Sequence, residues 1–153
     1  MLVVFNFKNQ MSIKQQLELL EKFNQPINKQ HQLIIAPIIP NYDEYHFDIA
    51  VQNLSIKGRN VGDLSPKHLK HYNINYAFVG HLERQKCLNE TTRIIRSKLD
   101  NALQKDIVPI ICVGNHENPI FECTTYLDGL NLQDKHIIIA YEILSATKKG
   151  LFI

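Results

Sequence analysis

Cysteine is scarce in this sequence of 153 residues, and its distribution fits neither a disulfide framework nor a zinc site. Cys87, Cys112 and Cys123 are odd in number and form no C-x-x-C pair. Small secreted domains usually carry an even set of cysteines, and zinc sites usually pair them at short spacing. We therefore expect the protein to work in a reducing cytoplasm.

The sequence also lacks a hydrophobic run long enough to cross a bilayer. Its longest apolar stretch is Leu33 to Pro40, whereas a transmembrane helix needs roughly 20 residues. The apolar start, Met1 to Phe5, runs at once into polar residues. It has neither the charged region nor the cleavage site of a signal peptide. Membrane insertion and secretion are therefore not expected.

No strong charge of either sign is present. Lysine and arginine total 17 against 15 aspartates and glutamates, which gives a formal charge of +2. Such a balance provides no broad basic surface for nucleic acid. The hydrophobic content of 44% is enough for a packed core, and a chain of this size should bury roughly two-thirds of its unfolded surface. We expect one domain over residues 1–153.

What the sequence does have is an alternation of short apolar runs and helical patterns. Most of the runs are continuous and β-branched, which is typical of strands buried on both faces. Because parallel neighbours need a crossover connection, the alternation predicts a parallel α/β sheet. The predicted strands cover 2–6, 32–36, 48–52, 75–79, 107–112 and 136–141.

Three helices are predicted from apolar periodicity and capping signals. Ser12 and Gln15 have the spacing of a capping box, and Ser65-Pro66 places proline after an N-cap. Asn89 is the expected N-cap of the third helix. The segment 115–135 lacks a sustained helical period and is predicted to be mostly loop with one short helix. The three helices cover 12–23, 66–71 and 90–104.

The spacing of the strands indicates a barrel-like arrangement. Most successive strands start about 30 residues apart, close to the roughly 31 residues per unit of an eight-unit TIM barrel. The predicted fold class is α/β, an incomplete TIM-barrel-like (β/α) arc of about six parallel strands with flanking helices. Active sites form where the carboxyl ends of such strands converge. Asn6, Lys8, His81 and Glu142 follow strand ends and should meet in one pocket.

The fragments at the strand ends occur in an order that resembles the triosephosphate isomerase family. The most specific is Gly80-His81-Leu82-Glu83-Arg84-Gln85, which is similar to the family signature G-H-S-E-R-R, and Glu90 falls where the family has a second glutamate. The resemblance covers the whole chain and corresponds to the first six of eight βα units, a single truncated barrel domain. The other matching fragments are Asn6-Phe7-Lys8, Ala36-Pro37, Val51-Gln52-Asn53, Gly62-Asp63-Leu64-Ser65-Pro66, Cys112-Val113-Gly114-Asn115 and Ala140-Tyr141-Glu142.

The resemblance implies a function and a role for each site residue. The reaction would interconvert dihydroxyacetone phosphate and glyceraldehyde 3-phosphate through an enediol, in glycolysis and gluconeogenesis. Glu142 would be the base, and His81 would polarise the carbonyl as a neutral imidazole; this family is itself the standard example of that pairing. Lys8 would stabilise the enediolate charge with a hydrogen bond from Asn6, and Glu83 would orient Lys8. A cytoplasmic homodimer that needs no metal or organic cofactor is implied.

Several positions depart from the family pattern. After Glu142 the lid sequence P-V-W-A-I-G-T-G reads I-L-S-A-T-K-K-G, so only Ala146 and Gly150 match. Leu82 replaces a serine, and Val61 replaces the threonine at the tip of the dimer loop, 53–64. The seventh and eighth strands and their phosphate-binding loops have no counterpart. Lys148 and Lys149 could contact phosphate, although a solvated pair is the plainer interpretation.

Other interpretations remain open at this stage. The chain could be a catalytically degenerate barrel remnant that acts as a non-enzymatic binding or scaffold module, a gene fragment without a stable fold, or a different phosphosugar enzyme. A second copy, another chain or a frameshifted segment could complete the barrel. Among individual residues, we expect Glu83 and Arg84 to form a structural ion pair and Cys112 to be a buried core residue. The histidines other than His81 should lie on the surface.

Overall fold

The computed structural model describes residues 1–40, 44–58, 61–115 and 118–142. Strands alternate with helices along most of this chain, and two helices in succession separate the fourth and fifth strands. The elements are β1 (Leu2–Asn6), α1 (Ile13–Phe23), β2 (Gln32–Ala36), β3 (Asp48–Val51), α2 (Pro66–His71), β4 (Tyr76–Val79), α3 (Leu82–Leu88), α4 (Thr92–Leu103), β5 (Val108–Val113), α5 (Pro119–Leu127) and β6 (Ile138–Tyr141).

The strands form one parallel sheet in which sequence order is also spatial order, β1-β2-β3-β4-β5-β6. Each strand pairs in parallel with the next along the chain, as in the alignment of Val4 with Ile34 and of Ile110 with Ile138. Within the described residues, β1 and β6 are the edges of this arc. The predicted incomplete (β/α) arc with flanking helices is thus confirmed.

Alternate residues of each strand enter different layers, which explains why the strands are apolar throughout. On β5, Ile110 and Cys112 join one cluster, whereas Ile111 and Val113 join the larger cluster that also includes residues of the helices. Cys112 is fully buried, as expected, and this burial raises the pKa of its thiol far above the usual range. Both faces of the inner strands are therefore buried, as in other parallel α/β sheets, whereas β1 and β6 at the edges are partly exposed.

The capping signals place α1 and α2 correctly but misplace the start of α4. Ser12 and Gln15 form the reciprocal bonds of a capping box, and α2 begins at Pro66 after Ser65. Asn89, however, is not the N-cap of α4. It ends α3 in the left-handed conformation, with φ of 51°, and Thr91 caps α4 instead. Asparagine tolerates this conformation better than most residues, which suits it to a helix C-terminus.

Two helices differ from what periodicity predicts. The short helix expected within 115–135 is α5, which starts at Pro119 and is capped by Asn118, so proline begins this helix rather than breaking it. The seven-residue α3 was not predicted, because two turns are too short to show an apolar period. No helix in the described part of the chain is long and apolar enough to cross a membrane.

Candidate active site

The predicted catalytic residues come from the carboxyl ends of three strands. Asn6 ends β1, and Lys8 follows it by two residues. His81 lies between β4 and α3, and Glu142 directly follows β6. A cleft of about 390 Å³ opens at this edge of the sheet, and Asn6, Lys8 and His81 line it. Glu142 does not line this cleft but lies beside His81. The structure therefore brings the strand-end residues together, as the parallel arrangement requires.

His81 is buried and held by the start of the helix that follows it. Its Nδ1 accepts a hydrogen bond from the backbone N–H of Glu83 at 3.3 Å. Because Nδ1 acts as an acceptor, the neutral ring carries its proton on Nε2. Nε2 lies 3.7 Å from Oε1 of Glu142. Among the described residues, neither His81 Nε2 nor Glu142 Oε2 has a hydrogen-bond partner. A buried proton donor and a buried carboxylate oxygen are therefore both left without a partner within the described residues.

Lys8 is fixed by contacts at both its backbone and its side chain. Its Nζ donates to Oε1 of Glu83 at 2.7 Å, which confirms the predicted pairing of these residues. Its backbone N–H donates to Asn6 Oδ1 at 2.9 Å, and its carbonyl accepts from Gln52 Nε2 at 2.7 Å. The hydrogen bond from Lys8 lowers the pKa of Glu83. Gln52, to which the sequence assigned no role, thus supports the position of Lys8.

The expected ion pair between Glu83 and Arg84 does not form. Glu83 contacts Lys8, whereas Nε of Arg84 donates to Oε2 of Glu90 at 2.7 Å. Adjacent residues of a helix point in different directions, so two neighbours on α3 reach different partners. Each residue has a structural ion pair of its own, Glu83 with Lys8 on another element and Arg84 with Glu90 just beyond the same helix.

Glu142 is held at the backbone by the neighbouring strand. Its N–H donates to the carbonyl of Val113 at 2.9 Å. Gly114, with φ of +123°, lies so close that a Cβ at this position would overlap the carbonyl oxygen of Glu142. A glycine at position 114 is therefore required both by its backbone conformation and by the close approach of Glu142.

Comparison with known proteins identifies the family of this chain. A family model described as triosephosphate isomerase matches residues 1–150. The chain belongs to the triosephosphate isomerase family.

This chain matches a different share of the length of each triosephosphate isomerase with which it was compared. The enzyme of Mesomycoplasma hyorhinis is 32% identical over 171 residues, covering 97% of this chain and 70% of the relative. That of Mycoplasma pneumoniae is 30% identical over 164 residues, covering 97% of this chain and 67% of the relative. That of Orientia tsutsugamushi (strain Boryong) is 39% identical over 114 residues, covering 65% of this chain and 44% of the relative. The chain thus spans between 44% and 70% of these triosephosphate isomerases.

A buried charge network borders the cleft on the side of α3 and α4. Glu90, at the position of the family's second glutamate, accepts from Arg84 and from Lys98, both at 2.7 Å. Lys98 also donates to Oδ1 of Asn53 at 2.6 Å, and burial lowers the pKa of its ammonium group. Asn53 and Arg84 line the cleft. The network therefore joins the wall of the cleft to the core, and hydrophobic periodicity in the sequence does not reveal it.

The remaining site predictions concern metal binding, the lid and the other histidines. No group of three or more histidine, cysteine, aspartate or glutamate side chains in the described ranges could hold a metal ion. The expectations for the lid after Glu142, and for Lys148 and Lys149, lie outside the described residues, as does His116. The other histidines are exposed, namely His31, His46, His68, His71 and His136.

Proposed function

We propose that this protein interconverts dihydroxyacetone phosphate and glyceraldehyde 3-phosphate by proton transfer through an enediol. One observation carries the proposal: Nε2 of His81 and Oε1 of Glu142 lie 3.7 Å apart, while Nδ1 of His81 is occupied by a backbone N–H. A base and a carbonyl-polarising donor must reach neighbouring atoms of one substrate for such a reaction. The membership of the chain in the triosephosphate isomerase family supports the same chemistry.

Glu142 acts as the general base in this mechanism. Its carboxylate removes the proton from the carbon next to the substrate carbonyl and later returns a proton to the neighbouring carbon. The N–H···O bond to Val113 and the contact with Gly114 fix the backbone from which this carboxylate extends. A fixed base reduces the entropic cost of reaching the geometry for proton transfer.

His81 and Lys8 stabilise the charge that develops on the substrate oxygens. His81 donates from Nε2 to the carbonyl oxygen and transfers protons between the two oxygens as a neutral imidazole; triosephosphate isomerases are the standard example of this use of histidine. Lys8 supplies positive charge, and its pairing with Glu83 holds the ammonium group in place before the reaction begins. Asn6 adds a hydrogen-bonding amide at the same edge.

An isomerase assay of the purified chain tests the proposal. Glu142→Gln removes the base and nearly preserves the side-chain volume, so we expect a loss of about 10²- to 10⁴-fold in kcat. Glu21→Gln is the matched control, because it makes the same change on the exposed side of α1. Activity that is absent, or equal in the wild-type and Glu142→Gln proteins, would contradict the proposal and favour a non-enzymatic binding role.

We further propose that the protein is a cytoplasmic homodimer that acts in glycolysis and gluconeogenesis. Support for the dimer comes from Val61, which is fully exposed in the segment 53–64 that the family uses as a dimer loop. Sedimentation should show a dimer that Val61→Asp weakens, whereas a monomer at all concentrations would contradict this part of the proposal. The three free thiols fit a reducing compartment.

A further inference from the structure

A buried carboxylate on α5 has no role in the mechanism described above. Glu122 is 3% exposed. Its Oε2 accepts from the backbone N–H of Gly114 at 2.8 Å, and its Oε1 accepts from the hydroxyl of Tyr126 at 2.7 Å. Neither partner is a cation, and no ion pair of Glu122 occurs among the described residues. Burying a carboxylate without a charged partner costs free energy. We therefore expect the two hydrogen bonds of Glu122 to have a structural role.

Gln85 extends this cluster from α5 to the loop before His81. Its Nε2 donates to the carbonyl oxygen of Gly80 at 2.7 Å. Its Oε1 accepts from Nδ2 of Asn115 at 3.1 Å and lies 3.3 Å from the hydroxyl oxygen of Tyr126. The side chains of Glu122, Tyr126 and Gln85, which we call the α5 clamp, thus connect the ends of β4 and β5.

Both backbone groups that the α5 clamp holds are next to a catalytic residue. Gly80 directly precedes His81. Gly114 packs against the carbonyl of Glu142 so closely that no side chain fits between them. Both glycines have positive φ, 72° and 123°, so neither is held by the regular geometry of a strand. The positions of His81 and Glu142 therefore depend on what restrains these two glycines.

We propose that Glu122, Tyr126 and Gln85 are positioning residues that keep His81 and Glu142 at their reactive separation. The family signature G-H-S-E-R-R has arginine at position 85, whereas this chain has glutamine there. A neutral hydrogen bond joins Gln85 to Asn115, and α5 supplies the carboxylate from Glu122. This arrangement makes α5 part of the support of the active site.

Backbone amide exchange tests the positioning directly and does not depend on activity. The reporters are the amides of Glu83, which donates to His81, and Glu142, which donates to Val113. Glu122→Leu removes both acceptors of the carboxylate, and Tyr126→Phe removes only the hydroxyl while the ring still fills the core. We expect exchange at both reporters to become at least about tenfold faster in Glu122→Leu, and several-fold faster in Tyr126→Phe.

Two further variants separate positioning from simple packing. Glu122→Gln retains an oxygen for Gly114 and a polar partner for Tyr126, so exchange should return to within about twofold of the wild type. Thr124→Val removes a hydroxyl that bonds to Phe121 on the exposed side of the same helix, and should also leave the reporters unchanged. Unchanged exchange at Glu83 and Glu142 in Tyr126→Phe would overturn the proposal, even if Glu122→Leu fails to fold.

A kinetic measurement on a chain with isomerase activity provides a second test. Only this second test rests on the proposed function. We expect Tyr126→Phe to lower kcat by on the order of tenfold with KM within about twofold, because it disturbs the reacting groups rather than substrate binding. An unchanged kcat, or a change in KM alone, would count against the positioning role. A wild-type chain without activity would refute the proposed function, whereas the exchange results would still decide the role of the α5 clamp.

Discussion

Removing the carboxylate of Glu90 should destabilise the protein more than any surface charge substitution. The Glu90 side chain accepts from both Arg84 and Lys98, and both Glu90 and Lys98 are almost fully buried. In Glu90→Leu, Lys98 keeps only Asn53 as a hydrogen-bond partner among those described. Arg84 is about one-third exposed and can be hydrated, so the penalty falls mainly on the buried ammonium group.

The size of the effect follows from the cost of an unpaired buried charge. Breaking a buried ion pair from one side typically costs about 3–5 kcal/mol. With a urea dependence of about 2 kcal/mol per molar for a chain of this size, the unfolding midpoint should fall by roughly 2 M. Asp100 lies on α4, as Lys98 does, and Asp100→Asn, which breaks an exposed pair with Lys57, should cost less than about 1 kcal/mol.

The loss should also depend on pH in a definite direction. Burial already lowers the pKa of Lys98, and Glu90 opposes this effect, so its removal lowers the pKa of Lys98 further. Between that lowered value and the ordinary value of about 10.4, the unfolded chain binds more protons than the folded chain, so the unfolding free energy rises with pH. The deficit of Glu90→Leu relative to wild type should therefore shrink from pH 7 towards pH 10.

Urea unfolding followed by circular dichroism at several pH values tests this reasoning. We expect Glu90→Leu to show the large midpoint shift at pH 7 and partial recovery at high pH, with Asp100→Asn close to wild type throughout. A loss below about 1 kcal/mol at pH 7 would refute the assigned cost of the buried charge. A deficit that grows with pH would refute the assignment to Lys98.

Three further predictions concern contacts near the site and at a helix end. Lys8→Met should raise the pKa of Glu83 towards its ordinary value in an NMR titration, and an unchanged titration would contradict the pairing. In the wild type, this pairing stabilises the folded protein above the unfolded pKa of about 4.3, and the stabilisation is lost as the pH falls through the lowered pKa of the folded state. Gly114→Ala should lower the thermal midpoint and displace Glu142, which a crystal structure would show, whereas an unshifted Glu142 backbone would be inconsistent with the close contact. Ser12→Ala should cost about 1 kcal/mol in urea unfolding through loss of the capping box, and no measurable cost would argue against that cap.

The sheet could be predicted from the sequence because its strands carry a local signal. Continuous apolar runs bounded by turn residues mark all six strands, and the observed boundaries differ from the predicted ones by no more than two residues. The runs are apolar because alternate residues enter different layers, and this property is local to each strand. The spacing of these runs was also enough to predict parallel pairing, because parallel neighbours need a crossover connection of about a dozen residues or more, which is usually a helix.

The helices were predicted less completely, since short helices depend on caps more than on periodicity. Asn89 and Thr91 are both plausible caps, and only the left-handed backbone at Asn89 shows that it ends α3 rather than begins α4. The start of α5 at Pro119 follows the same rule as the start of α2 at Pro66, yet the absence of a period in 115–135 concealed its length.

The candidate site likewise contains residues that the sequence could predict and residues that it could not. His81, Glu142, Lys8 and Asn6 follow strand ends, so topology alone brings them to one edge of the sheet. The residues that hold them do not share this property. Glu122 reaches Gly114 from α5, and no local pattern encodes such a contact across elements.

Deuterium incorporation into dihydroxyacetone phosphate in D₂O tests the role of Glu142 as the base, because it detects removal of the carbon-bound proton whether or not product is released. We expect the wild-type chain to catalyse this exchange, Glu142→Gln to reduce it by at least about 10²-fold, and Glu21→Gln to leave it unchanged. Exchange that is no faster with the wild-type chain than with Glu142→Gln would contradict the assignment of Glu142 as the base.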